Sequence, residues 1–230
     1  MCDLPRSVML FAAGFGTRMK PLTDDLPKPM IEVAGKPLVD HALSLASAVA
    51  PQIIVANLHY KPEPLERHLT ARGVQTVLET PDILDTGGGL RNALPALGPA
   101  PVFTLNTDAI WKGPNPLDML RNAWEPARMD ALLMCIPVAN THAYKGQGDF
   151  QINAQGQITR GPGLVYGGAQ IIKTGRLAEI DKACFSLNEL WNLMLTDTRL
   201  FGLCYPGQWC DVGHPGGISI AEALIDHSDV

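Results

Sequence analysis

Short apolar runs alternate with amphipathic stretches along the first half of the chain. Four of these runs have the length of strands: 8–13, 52–57, 74–79 and 101–106. Helical spacing occurs at 37–50, 62–73, 90–97 and 116–124. Pro37 is favourable as the first residue of a helix, and Gly73 is placed as a terminator. Apolar strands that alternate with helices predict βαβ units around a parallel sheet.

The pattern changes in the second half of the chain. Further strands are predicted at 130–138, 164–173 and 200–206, and further helices at 186–195 and 216–225. Alternating apolar positions at 148–161 predict a hairpin with its turn near 153–156. We therefore predict an α/β fold with a Rossmann-like, doubly wound, mixed but mostly parallel sheet. A small, more antiparallel section is expected after about residue 140.

The organisation of the chain predicts one domain. No internal repeat, low-complexity segment or linker interrupts the 230 residues, and this length suits one domain with one sizeable core. We predict a single domain over 1–230, with a first part at about 8–139 and a second part at about 140–230.

Composition and charge narrow the classes of function. The chain is 46% hydrophobic, and its formal net charge of -5 argues against binding nucleic acid through bulk electrostatics. No apolar run approaches the roughly 20 residues of a membrane span, and a signal peptide is not expected. The 5 cysteines form no Cys-x-x-Cys pair. They argue against a disulfide framework or a zinc site and fit a reducing cytoplasm.

The stretch LFAAGFGTRMKPLTDDLPKPM, residues 10–30, follows the first strand with a glycine turn and then places cations beside it. Small residues after a strand let backbone N–H groups approach phosphate oxygens. Met19 replaces the third glycine of the dinucleotide fingerprint, and Pro37 follows the Gly35-Lys36 pair, so no P-loop is present. By itself the turn is equally compatible with a tight structural connection.

Two cations on this stretch favour the phosphate hypothesis. Arg18 offers a planar fork that suits phosphate, and Lys28 offers a point charge. Pro21, Pro27 and Pro29 restrict φ and stiffen the loop that carries them. Because a stiff loop loses little entropy when a ligand binds, we predict a pocket for a polyanion here.

The segments AAGFGTRMKPLT and LPKPMIEVAGKPLVDH closely resemble the signature of sugar-1-phosphate nucleotidyltransferases. Later segments are similar to that family in the same order: LETPDILDTGGGLRNAL, FTLNTDAIW, GDFQI, YGGAQII and WCDVGHPGGISIAEAL. The resemblance extends from Val8 to about Ile225. It implies the nucleotidyltransferase fold and the joining of a nucleoside triphosphate to a sugar 1-phosphate with release of pyrophosphate.

The resemblance implies roles for individual residues. The catalytic positions are Arg18, Lys28, Asp108 and Asp211. The two aspartates match metal-binding positions, and magnesium would complete its octahedral oxygen shell with water and phosphate oxygens. The nucleotide is expected at Ala13, Gly14, Gly16, Thr17, Arg18, Glu79, Thr86, Gly87 and Gly88 in the first part of the domain. The sugar is expected at Thr107, Asp149 and Gly168, with the second part of the domain as its main binding region.

The residues alone leave alternatives at these positions. Asp108 also fits the cap of the next element, and Asp211 fits a turn. Glu79 fits an exposed strand end, and Asp149 fits a turn that begins the hairpin. The glycine run 87–89 fits close approach to a flat base, and it also fits the entry to a helix.

The resemblance is closest to the members that join N-acetylmuramate 1-phosphate to UTP in cell-wall recycling. It implies UDP-N-acetylmuramate as product, magnesium as cofactor and the bacterial cytoplasm as location. The expected partners are the two small-molecule substrates, without nucleic acid or membrane, and the expected state is a monomer or homodimer. Thr107 replaces a common glycine and Gly167 replaces a common serine, so these departures leave the sugar open.

Two alternatives remain for the function. A glucose- or mannose-1-phosphate nucleotidyltransferase using dTTP, UTP or GTP shares the N-terminal motif. A non-catalytic nucleotide-sensing module would use the same fold for regulation. The presence of Arg18, Lys28, Asp108 and Asp211 argues against the sensing module, because a silent relative would be expected to have lost one of them.

Overall fold

The computed structural model describes residues 4–226. Its helices are α1 Leu38–Ala48, α2 Pro62–Thr70, α3 Asp85–Leu97, α4 Pro116–Ala123, α5 Leu187–Thr196 and α6 Gly216–Asp226. Its strands are β1 Ser7–Phe11, β2 Glu32–Val33, β3 Lys36–Pro37, β4 Ile53–Leu58, β5 Gln75–Leu78, β6 Val102–Asn106, β7 Ala109–Lys112, β8 Ala131–Pro137, β9 Thr141–His142, β10 Phe150–Ile152, β11 Ile158–Arg160, β12 Leu164–Ile172, β13 Leu200–Cys204 and β14 Gln208–Asp211. Within this described part, no helix has the length and apolarity that crossing a membrane requires.

The central sheet is mixed. β5, β4, β1 and β6 lie side by side in that order and are parallel. β12 pairs antiparallel with β6 on one side and with β8 on the other, and β8 pairs parallel with β13. The predicted α/β class with a large, mostly parallel sheet is confirmed.

The residues of β1 alternate between two hydrophobic cores, one on each face of the sheet. Val8 and Leu10 pack into the core that contains α1, α2 and α4, whereas Met9 packs into the core that contains α3 and α5. All three side chains are fully buried. A parallel sheet covered on both faces needs apolar residues at consecutive positions, which explains the unbroken apolar run of this strand.

The predicted hairpin is present and joins the central sheet. β10 and β11 are antiparallel, with Phe150 opposite Arg160. Phe150 also pairs with Leu164 at the start of β12, and Ala169 further along β12 pairs with Leu105 near the carboxyl end of β6. The antiparallel section is therefore continuous with the parallel strands, and the hairpin lies beyond the carboxyl end of β6.

A small second sheet was not predicted. β14 pairs antiparallel with β7 and parallel with β9, and α6 packs against it through a third hydrophobic core. Asp211 ends β14 opposite Ala109, so it lies in a strand rather than a turn. Strands of two to four residues are too short to show a period in the sequence.

Helix α3 begins five residues before the predicted helix at 90–97, since it starts at Asp85. The run Gly87 to Gly89 lies in its first turns and is buried. Each glycine in a helix costs roughly 1 kcal/mol relative to alanine, so the local sequence favours a loop there. Tertiary packing overrides that preference.

Leu105 and Leu78 provide a matched test of the two-sided core. Leu105 in β6 is fully buried, whereas Leu78 in the edge strand β5 is 51% exposed. We expect Leu105→Ala to lower the free energy of unfolding by roughly 2–5 kcal/mol, because it leaves a cavity in a packed core. Leu78→Ala should change it by about 0.5 kcal/mol or less. Urea unfolding followed by circular dichroism measures both, and similar losses in the two variants would contradict the described burial.

Candidate active site

A cleft lies at the carboxyl ends of the parallel strands and has two connected halves. The first half, a cavity of about 230 Å³, is lined by Phe11, Ala12, Ala13, Gly14, Lys28, Pro29, Asn57, Glu79, Ile83, Asp85, Thr86, Asn106, Thr107 and Asp108. The second half, about 290 Å³, is lined by Phe11, Asp85, Thr86, Asn106, Asp149, Phe150, Arg160, Tyr166, Ser186, Leu187, Asn188 and Trp191. The two halves share four lining residues, so two ligands bound in them would meet. Ligands in open α/β sheets bind at this edge.

The structure distributes the predicted site residues unevenly over this cleft. Those that line the first half are Ala13, Gly14, Lys28, Glu79, Thr86, Thr107 and Asp108. Asp149 lines the second half, together with Thr86. Those that line neither half are Gly16, Thr17, Arg18, Gly87, Gly88, Gly168 and Asp211.

Lys28 and Asp108 form an ion pair just beyond the carboxyl end of β6. Lys28 Nζ lies 2.7 Å from Asp108 Oδ2, and the two side chains are 12% and 35% exposed. Lys28 comes from the proline-rich loop, and Asp108 follows β6. The pair therefore fixes the first loop to the end of a central strand, beside the backbone of the glycine turn.

Asp211 joins this pair from the small sheet. The pairing of β14 with β7 brings it beside the Asp108 segment, where Val212 N donates to Asp108 O at 2.9 Å. Burial and then the negative charge of Asp108 raise the pKa of Asp211, against the opposing influence of Lys28 and of Arg18. The two acids and the two predicted cations thus lie within electrostatic reach of one another.

Gly213 shows how closely Arg18 and Asp211 approach. A Cβ atom at Gly213 would lie 2.8 Å from Asp211 Oδ1 and 3.0 Å from Arg18 Nη2. A side chain at Gly213 would therefore displace one or both of these charged groups. His214 follows directly, and its buried Nε2 has no hydrogen-bond partner among the described residues. His214 lies near enough to Asp211 to act on the pKa of that carboxyl, which it lowers.

Gly16 fixes the glycine turn against the cationic loop. It has a φ of 62°, and a Cβ atom there would lie 2.9 Å from both Lys28 Cβ and Thr23 Cγ2. Thr23 Oγ1 donates to Gly16 O at 2.9 Å, and Met19 N donates to the same oxygen at 2.9 Å. Gly16 therefore permits both the left-handed turn and the close packing that positions Lys28.

Glu79 and Asn57 form a buried polar network in the wall of the first half of the cleft. Asn57 Nδ2 donates to Glu79 Oε1 at 2.7 Å, and Leu84 N donates to Glu79 Oε2 at 2.8 Å. Ala12 N donates to Asn57 Oδ1 at 2.9 Å. The network connects β4, β5 and the turn after β1. Asn57 was not predicted as a site residue, although a polar residue at the end of an apolar strand indicates a position at the ligand-binding edge of the sheet.

The glycines at the start of α3 pack against protein. A Cβ atom would lie 2.4 Å from the Phe185 ring at Gly87 and 2.4 Å from Ala183 O at Gly88. The N–H groups of both glycines donate to Phe185 O, at 2.9 and 3.0 Å. Thr86 Oγ1 accepts from Leu187 N at 3.0 Å, which adds a link to α5. Contact of Gly87 and Gly88 with a base stays a prediction, since their N–H groups already have partners.

The predicted sugar residues differ in exposure. Thr107 is buried, and its Oγ1 donates to Phe11 O at 2.8 Å. Gly168 has a φ of 87°, and a Cβ atom there would lie 2.8 Å from the side chain of Asn106. Asp149 is exposed in the second half, where its Oδ2 accepts from Tyr166 N at 2.9 Å. Asn106 lines both halves and was not predicted.

The chain is similar to known proteins in sequence and in fold. Residues 8–159 match the MobA-like NTP transferase domain. The chain is 38% identical to the N-acetylmuramate alpha-1-phosphate uridylyltransferase of Caulobacter vibrioides, over 98% of this chain and 99% of that protein. The chain belongs to the MobA-like NTP transferase family. The predicted resemblance to nucleotidyltransferases is confirmed.

Other similar proteins have lower sequence identities to this chain. The N-acetylmuramate alpha-1-phosphate uridylyltransferase of Neisseria meningitidis serogroup B is 29% identical, over 94% of this chain and 96% of that protein. The mannose-1-phosphate guanyltransferase of Gibberella zeae is 28% identical, and this chain covers 60% of its length. The crystal structure of HddC from Yersinia pseudotuberculosis complexed with GMP-PN is 20% identical and superimposes with a TM-score of 0.76 over 96% of this chain and 99% of that chain. At that identity the last match supports the fold alone.

Asn57→Ala tests the network in the wall of the cleft. The change leaves Ala12 N and the Glu79 carboxylate without their buried partner, so we expect the free energy of unfolding to fall by roughly 1–3 kcal/mol. Asn122, an exposed residue of α4, provides the control, and Asn122→Ala should have little effect. Urea unfolding measures both variants. Equal stability of Asn57→Ala and the parent protein would show that the network does not support the strand ends.

Proposed function

We propose that the chain joins N-acetylmuramate 1-phosphate to UTP and releases pyrophosphate, giving UDP-N-acetylmuramate. The observation that carries this proposal is the 38% identity to the Caulobacter vibrioides uridylyltransferase over nearly the whole of both chains. The cleft supports it, because its two connected halves suit a nucleotide and a sugar phosphate that must react with each other.

The chemistry follows from the charges of the substrates. A phosphate oxygen of the sugar 1-phosphate attacks the α-phosphorus of UTP, and the bond from that phosphorus to pyrophosphate breaks. The attacking oxygen is already anionic, so the reaction needs no general base. The task of the protein is to bring two polyanions together and to balance their charge. We assign this role to Lys28 and Arg18, with the turn from Ala13 to Thr17 presenting backbone N–H groups to phosphate oxygens.

Asp108 and Asp211 are the proposed ligands of a magnesium ion. The described residues hold no group of three or more His, Cys, Asp or Glu side chains that would enclose a metal. Two carboxylates close enough for one to raise the pKa of the other still suit Mg²⁺, which keeps water and substrate oxygens in its shell. When bound, the ion would neutralise phosphate charge and orient the reacting groups.

We further propose that the single domain has a nucleotide-binding part at about 8–139 and a sugar-binding part at about 140–230. Residues of 8–139 line the first half of the cleft, which we assign to the nucleotide. Residues between 149 and 191 form most of the second half, which we assign to the sugar. The ends of the proposed domain, at 1–3 and 227–230, lie outside the described residues.

The proposed setting is the cytoplasm, with the protein acting on small molecules as a monomer or homodimer, without nucleic acid. The cysteines of the described part, Cys135, Cys184, Cys204 and Cys210, are free thiols, which suits a reducing compartment. The net charge of -5 is unfavourable for association with nucleic acid.

A second candidate is a mannose-1-phosphate guanylyltransferase. The 28% identity to the Gibberella zeae guanyltransferase over 90% of this chain favours it over other sugars. Both candidates would use the same charged residues and the same first loop. They differ in the base and in the sugar, so substrate preference separates them.

Substrate preference is the first measurement. We expect pyrophosphate release in the presence of magnesium to be greatest for N-acetylmuramate 1-phosphate with UTP. The other combinations to be tested are glucose, mannose and N-acetylglucosamine 1-phosphates with UTP, GTP and dTTP. A maximum at mannose 1-phosphate with GTP would favour the second candidate. Folded protein that binds nucleotide but turns over none of these pairs would favour a nucleotide-sensing module.

Asp108→Asn and Asp211→Asn test the proposed metal ligands. We expect each change to lower kcat by on the order of 10²–10³, because one charged contact in the reacting site is lost while the side-chain shape is kept. Asp118, which forms a surface ion pair with Arg121 on α4, is the control, and Asp118→Asn should keep near-parental kcat. Thermal unfolding should show that all three variants remain folded. Near-parental kcat in both Asp108→Asn and Asp211→Asn would contradict the assignment.

A further inference from the structure

Among the described side chains that line the second half of the cleft, only that of Arg160 is positively charged. It ends β11, opposite Phe150 in the hairpin. It does not line the first half, where Lys28 is found. The charges proposed for the reacting phosphates therefore do not account for Arg160.

The guanidinium of Arg160 is held in place without a carboxylate partner. Its Nε and Nη2 donate to Asn192 Oδ1 at 3.2 and 2.9 Å, and its Cζ lies 5.5 Å from the centre of the Phe150 ring. Nη2 also lies 3.5 Å from Asn188 O. Among the described residues Arg160 forms no ion pair, and its Nη1 has no hydrogen-bond partner.

The acids of the same half are engaged elsewhere. Asp149 Oδ2 accepts from Tyr166 N, and Asp85 Oδ1 accepts from Thr86 N. Neither carboxylate pairs with Arg160. An anionic group of a ligand would be repelled by these two acids and attracted to Arg160, because like charges repel and opposite charges attract.

The proposed sugar substrate carries one anionic group besides its phosphate. N-acetylmuramate is N-acetylglucosamine with a lactyl ether at O3, and the lactyl group ends in a carboxylate. The 1-phosphate has to reach the nucleotide, which places it towards Lys28 and Asp108 in the first half. The carboxylate is then left for the second half, and a carboxylate is the natural partner of a guanidinium fork.

We propose that Arg160 is a specificity-determining residue that binds the lactyl carboxylate of the sugar phosphate. This inference rests on the proposed function and names the group that selects its substrate. Asn192 and Phe150 hold the guanidinium in position, so that little side-chain entropy is lost when the carboxylate binds. Asn192 acts through Arg160 and is a positioning residue.

The test compares sugar phosphates with and without a lactyl carboxylate in Arg160→Gln. The substrates, each with UTP, are N-acetylmuramate 1-phosphate, its analogue with a lactyl carboxamide, and N-acetylglucosamine 1-phosphate. We expect kcat/KM for the lactyl acid to fall about 10- to 100-fold, the range for a lost hydrogen bond to a charged group. The values for the two substrates without a carboxylate should change by less than about 3-fold, since they make no such bond.

Two further variants sharpen the comparison. Arg160→Lys keeps the charge and loses the fork, so its preference for the lactyl acid should lie between those of the parent and Arg160→Gln. Arg128 is a matched control: it also stacks on a phenyl ring, that of Phe201, and it pairs with Glu125 outside the cleft. Arg128→Gln should keep the parental preference.

The outcomes separate this inference from the proposed function. A parent enzyme that turns over N-acetylmuramate 1-phosphate, with a selective loss for the lactyl acid in Arg160→Gln, supports both. Equal losses for all three substrates would overturn the inference alone and would place Arg160 at the shared 1-phosphate. Unchanged preference in Arg160→Gln would also overturn it. A folded parent enzyme with no turnover of the lactyl acid would remove the proposed function and the inference with it.

Discussion

The negative charges of Asp108 and Asp211 repel each other, and the groups around them keep the two carboxylates close together in spite of this repulsion. The repulsion and the partial burial of Asp211 raise its pKa, which is the free-energy cost of the arrangement. Lys28 offsets part of that cost through its 2.7 Å ion pair with Asp108. Arg18 also lowers the pKa of Asp211, and Gly213 lies against both groups. A cation held by the two acids would offset the remaining cost.

Glycine residues allow the walls of the cleft to pack closely around these charges. Gly16 packs against Lys28, Gly88 against Ala183 O and Gly168 against Asn106, at distances that admit no side chain. The buried pair of Asn57 and Glu79 fixes the strand ends through hydrogen bonds to backbone N–H groups. Polyanions bind with less loss of entropy to groups that are already in position. The glycines thus serve the site mainly by allowing the protein to pack closely around it.

The long elements of the fold could be predicted from the sequence, and the short ones could not. The apolar run of β1 and the spacing in α1 extend over enough residues to show their periods. The small sheet that carries Asp211 consists of strands too short for this, and its pairing joins segments about a hundred residues apart. The start of α3 was missed for a different reason. Its glycines oppose helix locally, and they become helical through contacts with Phe185 that no local pattern contains.

The two departures from the expected motifs change packing more than chemistry. Thr107 directs its hydroxyl to Phe11 O, and Gly167 leaves space that the Trp111 ring occupies, since a Cβ atom there would lie 2.6 Å from Trp111 Cη2. Neither adds a free polar group to the half of the cleft assigned to the sugar. The hairpin supplies much of the chemistry of that half. It lies next to the half assigned to the nucleotide because β12 pairs with β10 and runs antiparallel beside β6. The choice of sugar is therefore expected to depend on hairpin residues such as Arg160, while the charged centre that all such substrates share stays unchanged.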